Sequence, residues 1–372
     1  MSKKDDAKTY GLGERSATEM IAAPQLPYLV QDPKEYNPNI ALVGCGGITT
    51  HHLSAYKKAG YRVVALCDTN LEAANNARRN YFPEAKVYSD YKEVLKRDDI
   101  EVVDFATHPK IRYPMMVEAV EAKKHILSQK PFVMDLDAGE RLVEASVKAN
   151  VKIAVNQNGR WAPHFSYMRQ VIAAGLIGEV AAVHMHISWN HNWVAGTPFE
   201  DIHNLILFDF GIHWFDMMTT FMRAKEVKNV YAVTEYFPEQ TVKPPMLAQV
   251  ALSYKHAVGS ISFNADTLFG EEDWTVIIGR KGTLRSFGPD LNEQKVVLHT
   301  NEGVASPDLE GTWFPDGFHG AMAELLCAIE EQREPENSGR NNLDSLALCF
   351  AAIESAKSGK AIKPGTVRNY NM

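Results

Sequence analysis

Lys130, Asp209 and His213 are the side chains in this chain whose types and spacing could move a proton. Lys130 follows the apolar run His125-Ile-Leu-Ser128 and Gln129, and Pro131 behind it fixes the backbone and removes a donor. In an open α/β sheet ligands gather outside the carboxyl ends of strands, so a lysine there faces the reacting end of whatever binds. Asp209 and His213 lie in Phe208-Asp209-Phe-Gly211-Ile-His213-Trp214-Phe-Asp216, one helical turn apart on a single face. Buried charge is costly, and an aspartate beside an imidazole can orient it and stabilise its protonated form. The plainer reading is a solvated lysine and a satisfied core histidine. The chemical reading is an acid–base set that removes a hydroxyl proton as hydride leaves an alcohol.

Such chemistry needs a hydride acceptor, and residues 39 to 68 outline its site. The run Asn39-Ile-Ala-Leu-Val-Gly44-Cys45-Gly46-Gly47-Ile48-Thr49 reads as a strand, a glycine turn and the start of a helix. A second apolar strand ends in Cys67-Asp68. Gly44 can make the tight turn, Gly46 and Gly47 allow close approach of a pyrophosphate, and the helix beginning near Ile48 presents its N-terminus to it. Thr49 stands where the fingerprint has a third glycine. Asp68 is placed to bond ribose hydroxyls. With Thr69 and no arginine directly after it, Asp68 favours NAD over NADP, because a 2′-phosphate would meet a carboxylate. The strand-end residues Thr107, His108, Gln129, Lys130 and Asn158 complete the candidate cofactor contacts.

Substrate contacts are expected from Arg160 and Trp161, which leave the sixth strand, and from His191 and Trp193, together with Asp209 and His213. Strand alternation over His184 to Trp193 puts Met185, Ile187, Trp189, His191 and Trp193 on one face. Aromatic rings suit the C–H faces of a sugar or a flat aglycone. His184 and His186 share the other face and could chelate zinc with His203 or Asp209. No third ligand is dictated by spacing, so no metal is expected.

The elements that must position these groups follow from pattern. At 372 residues two domains are expected. The bounds read as an arm over 1–37, a dinucleotide domain over 38–157 and a substrate and oligomerisation domain over 158–372. The fold class is α/β: a doubly wound parallel sheet, then an α+β domain with a large, mostly antiparallel open sheet. The arm, with Pro24, Pro27 and Pro33, reads as a mobile tail or as a segment packed on its own or a neighbouring subunit. Leu205 to Met222 reads as one buried helix, too interrupted by Asp209, His213 and Asp216 to span a membrane.

A net charge of −7 without a basic block argues against nucleic acid or anionic membrane as partners. Four cysteines without paired short spacing fit reduced thiols in a cytoplasmic enzyme.

The motifs Gly44-Cys-Gly-Gly-Ile48, Ala122-Lys-Lys-His-Ile-Leu-Ser-Gln-Lys130-Pro131 and Asp209-x-x-x-His213 resemble those of the Gfo/Idh/MocA family, named for glucose–fructose oxidoreductase and inositol dehydrogenase. The resemblance runs from about residue 38 to the end. It implies a Rossmann domain, an oligomer joined through the second sheet, and NAD-dependent oxidation of a ring hydroxyl of a sugar, glycoside or cyclic polyol, in some members at C3 of a glucoside. It also implies that Lys130, Asp209 and His213 form the catalytic set and that the Lys130–Pro131 bond is cis. Other members of the family are regulators without chemistry, trans-dihydrodiol dehydrogenases or imine reductases.

The sequence departs from the family pattern in three places. Gln129 stands where glutamate is common, removing an anion from beside Lys130. After the fourth strand Thr107-His108-Pro109 replaces Thr-Pro, and Arg112 falls near a common histidine. The extension before residue 38 is not general to the family.

Overall fold

The structure, a computed structural model, describes residues 19–223 and 225–370. Its first sheet is built from short, apolar, wholly parallel strands: β1 (Asn39–Val43), β2 (Arg62–Cys67), β3 (Lys86–Tyr88), β4 (Val102–Phe105), β5 (His125–Ser128) and β6 (Ile153–Val155). They lie in the order β3-β2-β1-β4-β5-β6. The order reverses beside β1, so the carboxyl ends of β1 and β4 flank the crevice where such sheets bind ligands.

Helices α1 (Thr49–Ala59), α2 (Leu71–Asn80), α3 (Tyr91–Leu95), α4 (Pro109–Glu121) and α5 (Leu136–Lys148) connect these strands. Asn70 caps α2 by accepting from the Glu72 and Ala73 amides, and the Asp135 carboxylate caps α5 through Ala138 N at 2.8 Å. Helix α4 starts four residues before the expected Tyr113. Pro109 takes its first turn, where a missing N–H costs nothing.

After helix α6 (Pro163–Ala173) comes β7 (Val180–Ser188), the middle of a sheet ordered β14-β13-β12-β11-β7-β10-β9-β8. The other strands are β8 (Val227–Glu235), β9 (Leu247–Tyr254), β10 (Ala257–Asn264), β11 (Glu272–Gly279), β12 (Gly282–Gly288), β13 (Lys295–Thr300) and β14 (Val304–Ala305). All neighbours are antiparallel except β7 and β10. Strand β12 was not expected, because glycines bound it and its apolar residues are few. Residues 183, 185, 187, 250, 252, 261, 263, 277 and 284 turn inward and are buried.

The expected helix over Leu205 to Met222 is broken. Ile206–Phe210 forms a π-type turn and α7 begins at Ile212, ending at Phe221. Gly211 N reaches back to Ile206 O at 2.7 Å, and a Cβ on Gly211 would lie 2.7 Å from that same oxygen. Only glycine fits this join, and such turns gather at functional sites.

The last helices tie the halves together. Phe318, Met322, Leu325 and Leu326 of α8 (Asp316–Glu330) share one core with Ile40, Leu42 and Leu127 of the first sheet. Helix α9 (Gly339–Ser358) packs on β8, α5 and α7. The described part of the N-terminal arm lies on its own chain. Glu330 accepts the amides of Lys34, Glu35 and Tyr36 at 2.7–2.9 Å, and Ser166 donates to Tyr28 O at 2.6 Å. The expectation for residues 1–18 lies outside the described residues. No helix among the described residues is long and apolar enough to cross a membrane.

Candidate active site

The glycine turn has the geometry of a phosphate cradle. Gly44 has φ +96°, and a Cβ there would lie 2.9 Å from the carbonyl carbon of Ala106 at the end of β4. Around Gly46 and Gly47 a Cβ would meet no protein atom within 4 Å, so this backbone is open to the crevice. Helix α1 begins with no side-chain cap and no acid in its first turn. Its first N–H groups, of Thr49, Thr50 and His51, turn back to the carbonyls of Gly46, Gly47 and Ile48, which leaves the preceding N–H groups of Gly46, Gly47 and Ile48 for an anion. Thr49 is buried and donates its hydroxyl to Gly46 O at 2.5 Å, closing the turn in place of the third glycine. Asp68 accepts from Cys45 N and Asn70 N, both at 2.7 Å, which fixes its carboxylate beside the turn. These groups fit a dinucleotide: donors for the pyrophosphate and a carboxylate for the ribose.

At the carboxyl end of β5, Lys130 extends toward the π-type turn. Its Nζ lies 3.1 Å from Asp209 Oδ2 and 2.9 Å from Asp209 O, with both side chains about one-seventh exposed (15% and 14%). His213 stands in the first turn of α7. Burial, and then the charge of Lys130, push its imidazole well below the usual histidine range, so it is neutral. The expected Asp209–His213 pair is not formed: Asp209 binds Lys130, and His213 Nδ1 is buried without a partner. The π-type turn shifts Asp209 off the regular spacing that puts residues four apart on one face. The Lys130–Pro131 peptide is cis.

A family model described as "Oxidoreductase family, NAD-binding Rossmann fold" matches residues 38–157, and one described as "GFO/IDH/MocA C-terminal domain" matches residues 165–285. The chain belongs to the GFO/IDH/MocA oxidoreductase family. A D-apiose dehydrogenase of Paraburkholderia graminis is 26% identical over 87% of this chain and 88% of its own length. A myo-inositol 2-dehydrogenase of Thermotoga maritima is 23% identical over 87% and 98%. Among solved structures, an oxidoreductase from Agrobacterium radiobacter in complex with NAD+, L-tartaric acid and magnesium superposes with a TM-score of 0.80 at 22% identity, covering 88% of this chain and 99% of that one.

In this NAD-binding oxidoreductase several expected contacts are engaged elsewhere. Arg160 is 5% exposed; its Nε and Nη2 bind the Asp216 carboxylate at 2.6 and 2.8 Å, and its Nη1 binds Glu336 O. Trp161 packs under Gly320, with the Arg169 guanidinium 5.5 Å over its ring. Both are core supports, so neither is free to hold substrate. Asn158 accepts from Trp313 Nε1 at 3.0 Å and is buried. Gln129 is also turned inward, away from the crevice. Thr107 and His108 stay at the strand end, His108 capping α4.

Strand β7 ends at Ser188, so the expected alternation stops before the aromatic residues. His191 is instead buried between Trp189 and Phe210, with ring centroids 5.0 and 4.4 Å away, and burial lowers its imidazole to about 4. Trp193 sits in a 3-10 turn, half exposed, against Phe210 and Phe199. Phe210 follows Asp209 directly, which brings this aromatic shelf next to the Lys130–Asp209 contact. His184 bonds Ser260, and His186 stacks on Trp274 and faces Glu272. Among the described residues no three His, Cys, Asp or Glu side chains gather as a metal site.

Sequence reasoning noted Arg112 only as a departure from the family pattern and missed both its role and the His52–Asp104 pair. Arg112, fully buried, binds the Thr107 and Pro131 carbonyls and so ties α4 to the Lys130-Pro131 turn; burial lowers its guanidinium to about 9. His52 and Asp104 form a buried pair beneath the crevice, Nδ1 to Oδ2 at 2.7 Å. A lone aspartate inside the apolar strand Val102-Val-Asp-Phe105 was the available signal, since such a charge must find a partner.

Proposed function

We propose that this protein is an NAD-dependent dehydrogenase that oxidises a ring hydroxyl of a sugar, glycoside or cyclic polyol to a ketone. The observation that carries this reading is the cluster at the carboxyl edge of the first sheet. There a lysine steered by Asp209 and a neutral buried histidine stand beside the cofactor crevice. Bound NAD supplies the acceptor for the hydride. His213, kept neutral by burial, has an acceptor nitrogen for the hydroxyl proton, while the Lys130 ammonium donates a hydrogen bond to the same oxygen and stabilises the negative charge that develops on it. Asp209 holds the ammonium in place. The shelf of Trp193, Phe199 and Phe210 offers aromatic faces to the C–H side of a pyranose ring or an aglycone. Within this class a glucoside oxidised at C3 is the favoured substrate. The relatives that act on apiose and inositol support the polyhydroxylated class.

Incubation with NAD and a panel of glucosides, free sugars and inositols, read by NADH absorbance and then by NMR of the product, tests this. A ketone from one of these alcohols is expected. Tight NAD binding without turnover of any member would favour a sensing role, and turnover only of dihydrodiols or imines would replace the substrate class.

Homo-oligomerisation through the second sheet is part of the proposal. Its outer face exposes Tyr231, Val233, Val258, Ile278 and Phe287, each 40–52% accessible, and sedimentation of the purified protein checks it. Its four free, buried cysteines support a cytoplasmic setting.

A further inference from the structure

We propose that His52 is a positioning residue of the active site: held by Asp104 and Tyr56, it presents an unprotonated Nε2 that selects an amide rather than a carboxylate at position 129 and thereby sets the backbone of Lys130. The proposal rests on the reading of Lys130 as catalytic. Asp104 lies within β4, wholly buried, and its Oδ2 accepts from the Tyr56 hydroxyl at 2.6 Å and from His52 Nδ1 at 2.7 Å. A proton on Nδ1 leaves a lone pair on Nε2. Two amide nitrogens face that lone pair: Asn156 Nδ2 at 3.2 Å and Gln129 Nε2 at 3.4 Å.

The orientation of the Gln129 amide follows from its other end. Lys130 N–H is a donor and lies 2.7 Å from Gln129 Oε1, so the nitrogen must be the end that meets His52. Donors and acceptors therefore alternate without conflict from Asp104 through His52 and Gln129 to the Lys130 backbone. Phe318 of α8 covers the imidazole at 4.8 Å and keeps water from substituting. The other charged or titratable groups facing this network are Arg112 from α4, His51 beside His52 on α1, and Tyr61, whose ring lies 5.9 Å from that of Tyr56.

A glutamate at 129 has no donor. Its second oxygen would confront the Nε2 lone pair in a buried site, and an unmade bond there is costly. Proton uptake on His52 would relieve the conflict by placing an imidazolium between two carboxylates. The amide at 129 is thus matched to His52 beneath it, and a glutamate there would act on His52 before it acted on the Lys130 ammonium.

The test uses the full chain, labelled with 15N-histidine and saturated with NAD, in a long-range 1H–15N correlation spectrum. The His52 signal is assigned by its loss in His52→Asn. The expected result is the neutral tautomer protonated at Nδ1 in the unsubstituted protein. In Gln129→Glu the same signal takes the imidazolium pattern, with kcat reduced at least tenfold and the KM for NAD within twofold. Gln129→Met, which cannot exchange a proton, is expected to lower kcat similarly with His52 still neutral. A wild-type His52 protonated at Nε2, or a Gln129→Glu protein with neutral His52 and unchanged kcat, overturns the proposal. Failure of the Lys130 reading shows separately, as full turnover by Lys130→Met, and leaves the tautomer result independent of it.

Discussion

Replacing the Arg160–Asp216 pair tests whether Arg160 supports the core or holds substrate. The two groups meet in a bidentate contact, 2.6 and 2.8 Å, at 5% and 1% side-chain exposure, and Ser345 adds a hydroxyl to the carboxylate at 3.1 Å. Removing one member leaves the other nearly buried without its counter-charge. For a buried pair this costs about 3–5 kcal/mol, and the nearby Glu336 and Glu324 charges place Asp216→Leu at the lower end, about 3 kcal/mol. Arg160→Met should cost about as much. Replacing both by apolar residues removes the desolvated charges together, so the double variant should lose only about 1–2 kcal/mol. The implied coupling is about 4 kcal/mol. Urea unfolding followed by tryptophan fluorescence measures all four proteins. The expected order is a large loss for each single variant and recovery in the double, with substrate KM in the double close to that of the unsubstituted protein. Additive losses near 6 kcal/mol, or a KM raised tenfold in the folded double variant, would refute the core role and return Arg160 to the substrate site.

Gly46→Ala should leave stability nearly unchanged, because its Cβ meets no protein atom within 4 Å, yet weaken NAD binding at least about tenfold, roughly 1.4 kcal/mol. Gly44→Ala, at φ +96° and against Ala106, should also destabilise the fold by about 1–3 kcal/mol; calorimetric titration and thermal unfolding separate the two effects. Asp68→Ala should reduce the NAD-to-NADP ratio of kcat/KM at least about tenfold, and unchanged discrimination would count against its role at the ribose. Burial lowers His164 to about 3 and His191 to about 4, so between those values and 6.5 the unfolded chain binds the protons more readily. Their contribution is therefore complete above 6.5 and is lost as pH falls toward 4, at about 1.4 kcal/mol per pH unit for each histidine. A melting temperature that stays flat from neutral pH down to 5 would contradict this.

Much of the site was legible where chemistry is local. The glycine turn, Asp68 and the strand-end Lys130 are all where pattern puts them, because turn geometry and strand ends are properties of adjacent residues. Strands Lys86–Tyr88, His125–Ser128 and Leu247–Tyr254 begin and end at the expected residues for the same reason. Strand β12 escaped because its glycines read as turns, although its neighbours on both sides supply the pairing. The break at Gly211 escaped because hydropathy runs unchanged through a π-type turn.

By itself the order of residues determined two sheets of different kind, a dinucleotide turn and which side chains could carry acid–base chemistry. Which of those side chains meet was decided only in three dimensions. Asp209 binds Lys130, 79 positions away, rather than the histidine four positions on; Arg160 reaches Asp216 across 56 positions, and His52 reaches Asp104 across 52. Buried polar groups must find partners, and strand order and helix docking alone bring distant candidates within hydrogen-bonding range.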